Sequence, residues 1–294
     1  MGDCPRLWFG VQRCARMITR RAALAGLAAV AAGGCSRERA VARTARRIVS
    51  LSPSTTEALF AVGAGSRLVG RSRYCDYPPE VLRLPQVGGY VDPSFEAIFA
   101  LRPDLVRGAR GPAGAAVADR FSSRGVATYF PSTETFVEID EMILGLGVRT
   151  ETQPRARDVV TELHARLERL ELSLVDQPVV RALLVFGLEP IVVAGPGSFP
   201  DEMLRHARAT NAVTQGGRYP TLGIERVLAL DPDVVLNATM AEQHSADRIG
   251  PNVPGWSKVG AVRRGRVVAI ADETVLRPGP RVVEGLEVLA RVLH

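Results

Sequence analysis

The chain has 294 residues, 46% hydrophobic and 23% charged, which suits one large or two ordinary domains and excludes disordered and collagen-like classes. Its formal charge of +6 is concentrated: residues 1–34 hold five arginines against one aspartate, and residues 35–47 five arginines against one glutamate. From Ile48 onward the protein is nearly neutral, so the basic stripe of a nucleic-acid binder is missing.

The chain opens with features of an export signal. Thr19-Arg20-Arg21 precedes an apolar run from Ala22 to Gly34, which leads into Ala32-Gly33-Gly34-Cys35. That order, basic then apolar then small, is a secretory pattern, and the run falls short of the ~20 apolar residues that span a bilayer. The arginine pair is similar to a twin-arginine signal. Ala-Gly-Gly-Cys is similar to a bacterial lipobox, with Ala32 where a larger aliphatic residue is common. Two readings of Cys35 stay open, a lipidated residue or a chance cysteine in an unlipidated signal, and Met1 and Met17 both stand as starts. We read 1–34 as signal and 35–45 as a basic tether. The expected location is periplasmic, or lipid-anchored on the outer face of the cytoplasmic membrane. Cys75 is the one cysteine expected in the folded body, as a buried small apolar residue, so no internal disulfide and no cysteine-rich metal site is expected.

In the body, Arg47 to Leu51 reads as a buried strand. Ser54-Thr55-Thr56-Glu57 fits a capping box that opens a helix through Val62. The intervening loop lacks both a dinucleotide fingerprint and a P-loop. A strand over Leu68–Arg71 leads to an irregular Tyr74-Cys75-Asp76-Tyr77-Pro78-Pro79. A strand at Leu105-Val106, a helix from Ala113 to Ser123 and a strand from Val126 to Phe130 follow. From Thr152 to Leu174, apolar residues recur every three or four positions with no glycine, and Pro154 falls in the first turn, where it is tolerated. This predicts a stiff bridging helix of roughly 30–35 Å. Beyond it come strand Val179–Phe186, segment Ile191–Ala194, loop Gly195-Pro196-Gly197-Ser198 and a helix from Pro200 to Arg208. The loop has two readings, an anion cradle or a plain turn and cap. Strands at Val234–Leu236 and Arg266–Ile270, a broken Asp272–Pro280 segment and a helix over Arg281–Leu293 complete the chain. Strands alternating with helices argue for parallel, helix-covered sheets.

One stretch is written twice. Phe95-Glu96-Ala97-Ile98-Phe99-Ala100-Leu101-Arg102-Pro103-Asp104 and Ile224-Glu225-Arg226-Val227-Leu228-Ala229-Leu230-Asp231-Pro232-Asp233 share Glu, helical apolar spacing and Ala-Leu-x-Pro-Asp. A Gly-Gly pair and a tyrosine precede each: Gly88-Gly89-Tyr90 and Gly216-Gly217 followed by Tyr219. Two copies predict two similar lobes rather than a solenoid.

Together with the lipobox and the bridging helix, these residues resemble the cobalamin and iron-siderophore type of periplasmic-binding protein of ABC importers. The match includes Ile48 to Glu57, Tyr74 to Glu80, both glutamate motifs and Arg277-Pro278-Gly279-Pro280-Arg281, and it leans toward the cobalamin branch. The resemblance implies an α/β protein of two Rossmann-like lobes with parallel sheets joined by one long rigid helix. Its lobes are expected at 46–150 and 177–294, with the bridge at 151–176. It implies no catalysis, no cofactor and no resident metal; the protein would act as a monomer, binding a metal chelate and a permease dimer. By position, Glu96 and Glu225 match the residues that dock onto permease arginines, where a carboxylate accepts paired hydrogen bonds. A carboxylate in a first helical turn also suits the helix dipole without any partner. Tyr74, Tyr90 and Tyr219 match aromatic ligand contacts, with tyrosine before each glutamate where the cobalamin branch often has tryptophan. Asp272 and Arg277 match polar ligand contacts. A ferric siderophore or haem receptor remains open, as do an importer-independent carrier or sensor and an exported α/β cleft enzyme. The enzyme lacks a nucleophile elbow, a cofactor fingerprint or a metal cluster to support it. His164, His206, His244 and His294 form no metal-ligand spacing.

Overall fold

The computed structural model describes residues 44–109, 114–239 and 249–294; the export signal, Cys35 and His244 lie outside the described residues. Two separate sheets carry the chain. The first contains β1 (Ile48–Ser50), β2 (Leu68–Arg71), β3 (Leu105–Arg107) and β4 (Ala127–Tyr129), ordered β2-β1-β3-β4 with every pairing parallel. The second contains β5 (Val180–Leu188), β6 (Ile191–Val193), β7 (Ala209–Asn211), β8 (Thr221–Leu222), β9 (Val234–Asn237) and β10 (Val267–Ala269). Its parallel part, β7-β5-β9-β10, repeats the order of the first sheet. To this, β6 and β8 add an antiparallel extension. The reason is local: only Glu189 and Pro190 separate β5 from β6, and so short a connection can only reverse the chain.

Helices α1 (Pro53–Ala61), α2 (Phe95–Ala100), α3 (Gly114–Ser122), α4 (Phe136–Thr150) and α5 (Gln153–Ser173) come before the second sheet. Helices α6 (Phe199–His206), α7 (Ile224–Leu230), α8 (Gly260–Arg263) and α9 (Val282–Leu293) belong to the second half. Strand alternation sorts the core. Ile48 and Leu105 of the first sheet join Leu184 and Leu236 of the second in one apolar cluster, filled in by α1, α4, α5, α6 and α9. The alternate residues, Val49 and Val106, pack with Ile98 and Phe121 on the opposite face. Leu183 and Val235 do the same with Val227 and Trp256.

The bridging helix α5 buries Ala156, Val159, Leu163 and Leu167 in the shared cluster. Near its start, Arg155 donates to the Ala61 carbonyl of α1 at 3.2 Å; further on, Arg166 pairs with Glu284 and Glu287 of α9 at 3.3 Å each. The capping box expected at Ser54–Glu57 is not formed. Ser52 is the N-cap and Pro53 the first helical residue, so Glu57 lies inside the helix, where it is buried and serves a different purpose. Helix α4 was not legible from the sequence. It begins with a capping box of its own, Thr135 and Glu138, and packs along α5.

Candidate functional site

The duplicated motif builds the same corner in both halves. Glu96 and Glu225 are each the second residue of their helix, α2 and α7, and both side chains stand exposed. Each helix is followed by a left-handed residue before proline, Arg102 at φ 47° and Asp231 at φ 39°. The aspartate that follows clips the helix to its sheet. Asp104 accepts from the backbone N–H groups of Arg46 (2.8 Å) and Arg47 (3.0 Å), at the entry to β1. Asp233 accepts from the Arg181 N–H at 2.9 Å, inside β5. Arg47 and Arg181 return the favour, donating to the carbonyls of Leu101 and Arg102 and of Leu230 and Asp231 respectively. Most of the motif is therefore structural. The exposed glutamate takes no part in the clip.

The glycine pairs are turn devices. Gly216 and Gly217 both have positive φ, 104° and 84°, a conformation costly for any residue with a Cβ. At Gly89 a Cβ would come within 3.1 Å of Cε2 of Tyr74, so Tyr74 lies against the loop that carries Tyr90. Tyr74, Tyr90 and Tyr219 are 44%, 41% and 46% exposed, more than a ring packed in a core allows. The Tyr219 ring meets Phe186 edge-on with centroids 5.8 Å apart, and its hydroxyl donates to Glu134 at 2.9 Å. Burial and the Glu134 carboxylate both push the Tyr219 phenol well above its ordinary pKa.

A cavity of about 550 Å³ is lined by Asp76, Tyr77, Asp272, Glu273, Arg277 and Arg281, together with Ala271 and Thr274. Asp272 and Arg277 are both in its lining, whereas Tyr74, Tyr90 and Tyr219 stand outside it. Arg277 forms a fork with Asp76, at 2.8 and 3.2 Å, and also reaches Glu57 at 3.1 Å and Glu273. Arg281 makes its own fork to Glu57, at 2.9 and 2.7 Å, and its guanidinium lies 3.8 Å from the Tyr77 ring centroid. Burial opposes the Arg277 charge, but the carboxylates of Asp76 and Glu273 more than offset it and raise its pKa. The same bond to Arg277 holds Asp76 below the usual carboxylate range. Asp272 turns its Oδ1 inward as a cap, accepting from the Thr274 N–H (2.9 Å) and hydroxyl (2.6 Å). That hydroxyl bond lowers its pKa. Sequence reasoning missed Glu57, Asp76, Arg281 and Glu134 as site residues. Arg277 was read as a polar ligand contact, but its pairing with the buried Glu57, 220 residues away in sequence, was not visible there.

At Gly195–Ser198 the turn-and-cap reading holds: Ser198 accepts from the Asp201 N–H at 3.3 Å, and Glu134 accepts from the first helical N–H, that of Phe199, at 2.9 Å. The anion at this helix start is the protein's own. Cys75 is buried, which pushes its thiol pKa up, and its sulfur accepts from Thr56. His164 pairs with Asp140 at 2.6 Å and His206 with Glu171 at 2.5 Å. Among the described residues no group of three or more His, Cys, Asp or Glu is arranged to hold a metal ion, and no helix is long and apolar enough to cross a membrane.

Two like sheets, a shared helical seam and an ionic cluster where the halves meet define a two-lobed α/β class. The family model for periplasmic binding proteins matches residues 48–274, and the chain belongs to that family. It is 28% identical over 247 residues to the vitamin B12-binding protein of Vibrio cholerae serotype O1, covering 83% of this chain and 87% of that one. The structure of the periplasmic vitamin B12 binding protein BtuF of Vibrio cholerae aligns with a TM-score of 0.71 at 27% identity, over 85% of this chain and 97% of that one. A periplasmic heme binding protein from Pseudomonas aeruginosa aligns with a TM-score of 0.75 at 28% identity, over 85% and 92%. These relatives are substrate-binding transport proteins, not enzymes.

Proposed function

We propose that this protein is an exported substrate-binding lipoprotein, anchored through Cys35, that captures a metal chelate between its lobes and hands it to an ABC permease dimer. Cobalamin is the favoured chelate. The observation that carries this choice is the charge of the cavity lining. Asp76, Asp272 and Glu273 outnumber Arg277 and Arg281, so the wall offers both donors and acceptors with a slight negative excess. A neutral periphery rich in amides can pair with both kinds of group, whereas a dicarboxylate meets like charge. Similarity to a vitamin B12-binding protein supports the same reading. The runner-up is a haem chelate, favoured by the likeness to the Pseudomonas aeruginosa structure.

In this reading Tyr74, Tyr90 and Tyr219 supply stiff apolar platforms beside the polar cavity, and Asp272 and Arg277 meet the ligand's edge. The lobes are assigned to 46–150 and 177–294, with 151–176 as the bridge. Glu96 and Glu225, one on each lobe, dock a monomer onto two equivalent arginine sites of the permease. Calorimetry tests the capture step: wild type should bind cyanocobalamin at one per chain, and Tyr90→Ala with Tyr219→Ala should weaken it by about tenfold or more. Unchanged affinity in the double variant would remove the tyrosines from the site.

A further inference from the structure

Glu134 lies in the loop before α4, and its Oε2 is engaged twice. It accepts from the Tyr219 hydroxyl at 2.9 Å and from the Phe199 N–H, the first of α6, also at 2.9 Å. The arrangement is reciprocal, because Glu202 of α6 accepts from the Phe136 N–H, the first of α4, at 2.9 Å. Each helix start therefore receives a carboxylate, Glu202 of α6 at α4 and Glu134 of the loop before α4 at α6, where charge and dipole agree. Glu134 is fixed by main chain, not by a mobile surface partner. Tyr219 is in turn held at both ends of its ring, by Glu134 at the hydroxyl and by Phe186 against its edge, while 46% of the residue stays exposed.

We infer that Glu134 is a positioning residue: it holds the Tyr219 hydroxyl so that the second lobe offers a chelate the ring, not the oxygen, of this tyrosine. The selected ligand class is then a chelate whose metal is already fully coordinated. A phenol that ligates a ferric ion must lose its proton and turn its oxygen to the metal. Here that oxygen is committed to a carboxylate that also caps a helix, so Tyr219 would have to leave its seat to reach a metal. The inference rests on the receptor reading, because it assigns a role to a ring proposed to face the ligand.

The test is a double-mutant cycle on the full-length protein, read by cyanocobalamin calorimetry and by the absorption spectrum with ferric haem. Glu134→Ala should weaken cyanocobalamin about tenfold in the wild-type background but less than about twofold when Tyr219→Phe is already present. Glu134→Gln, which keeps an acceptor, should stay within about threefold of wild type. The ferric haem spectrum should be the same in wild type and Tyr219→Phe. An equal loss from Glu134→Ala in both backgrounds overturns the inference, as does a tyrosinate-to-iron band that disappears in Tyr219→Phe. If wild type binds neither chelate, the receptor reading fails, and fluorine NMR of 3-fluorotyrosine-labelled protein decides the positioning claim by itself. A Tyr219 resonance that moves on Glu134→Ala supports it; one that stays overturns it.

Discussion

Arg107 ends β3 fully buried, and among the described residues none of its three side-chain nitrogens has a hydrogen-bond partner; its guanidinium carbon lies 5.7 Å from the Tyr129 ring centroid. Burial pulls its pKa down, because the apolar interior disfavours the charged form. Replacing an unpaired buried charge by an apolar side chain of similar length removes that cost. Arg107→Met should therefore raise unfolding stability by ~1–4 kcal/mol in a urea titration; a loss would show that the guanidinium is paired after all. Neither Arg107 nor Glu57 announces itself in sequence: a charge inside an apolar run or a Thr-Glu start reads as surface or cap until its neighbours are known.

Among the elements, α5 was legible almost to the residue, because its apolar spacing and glycine-free run leave one helical reading. Helix α4 was hidden by Gly145 and Gly147. The structure explains both: a Cβ at Gly145 would collide with the Tyr129 hydroxyl, and one at Gly147 would come within 2.6 Å of Ala156 of α5. Close packing of two helices was bought with residues that look like helix breakers. Strands β7 and β8, with three and two residues, carry too little pattern to be read. The Leu-x-Pro-Asp corner was visible as a repeat, but its role needed the long-range partners of Asp104 and Asp233. Asp104→Ala and Asp233→Ala should each lower stability by about 1–3 kcal/mol, since the N–H groups of Arg46 and Arg47, or of Arg181, lose a charged acceptor. Thermal or urea unfolding of the two variants checks this, and a neutral result at either site would remove the clip from that half.

At the scale of the molecule, the apolar cluster that runs from the first sheet through α4, α5 and α9 to the second resists independent motion of the halves. The Glu57–Arg277–Arg281–Asp76 cluster adds charged links across the same seam. A stiff body presents its two exposed glutamates at a fixed spacing, which is what docking to a two-fold partner requires. Glu96→Ala with Glu225→Ala should leave chelate binding within about twofold and lower uptake in a permease-dependent transport assay by about tenfold or more. Unchanged uptake would assign the glutamates to helix dipoles alone. The paired sheets and the mirrored glutamates were legible because duplication repeats them; the ionic seam was not, because its partners lie more than two hundred residues apart. The most direct measurement is a calorimetric titration of the purified protein against cyanocobalamin, ferric haem and a ferric siderophore under one condition. The account predicts saturable one-to-one heat with cyanocobalamin and weaker or no heat with the other two. Saturable binding of haem or siderophore with none of cyanocobalamin would contradict the ligand assignment, and silence from all three would contradict the receptor itself.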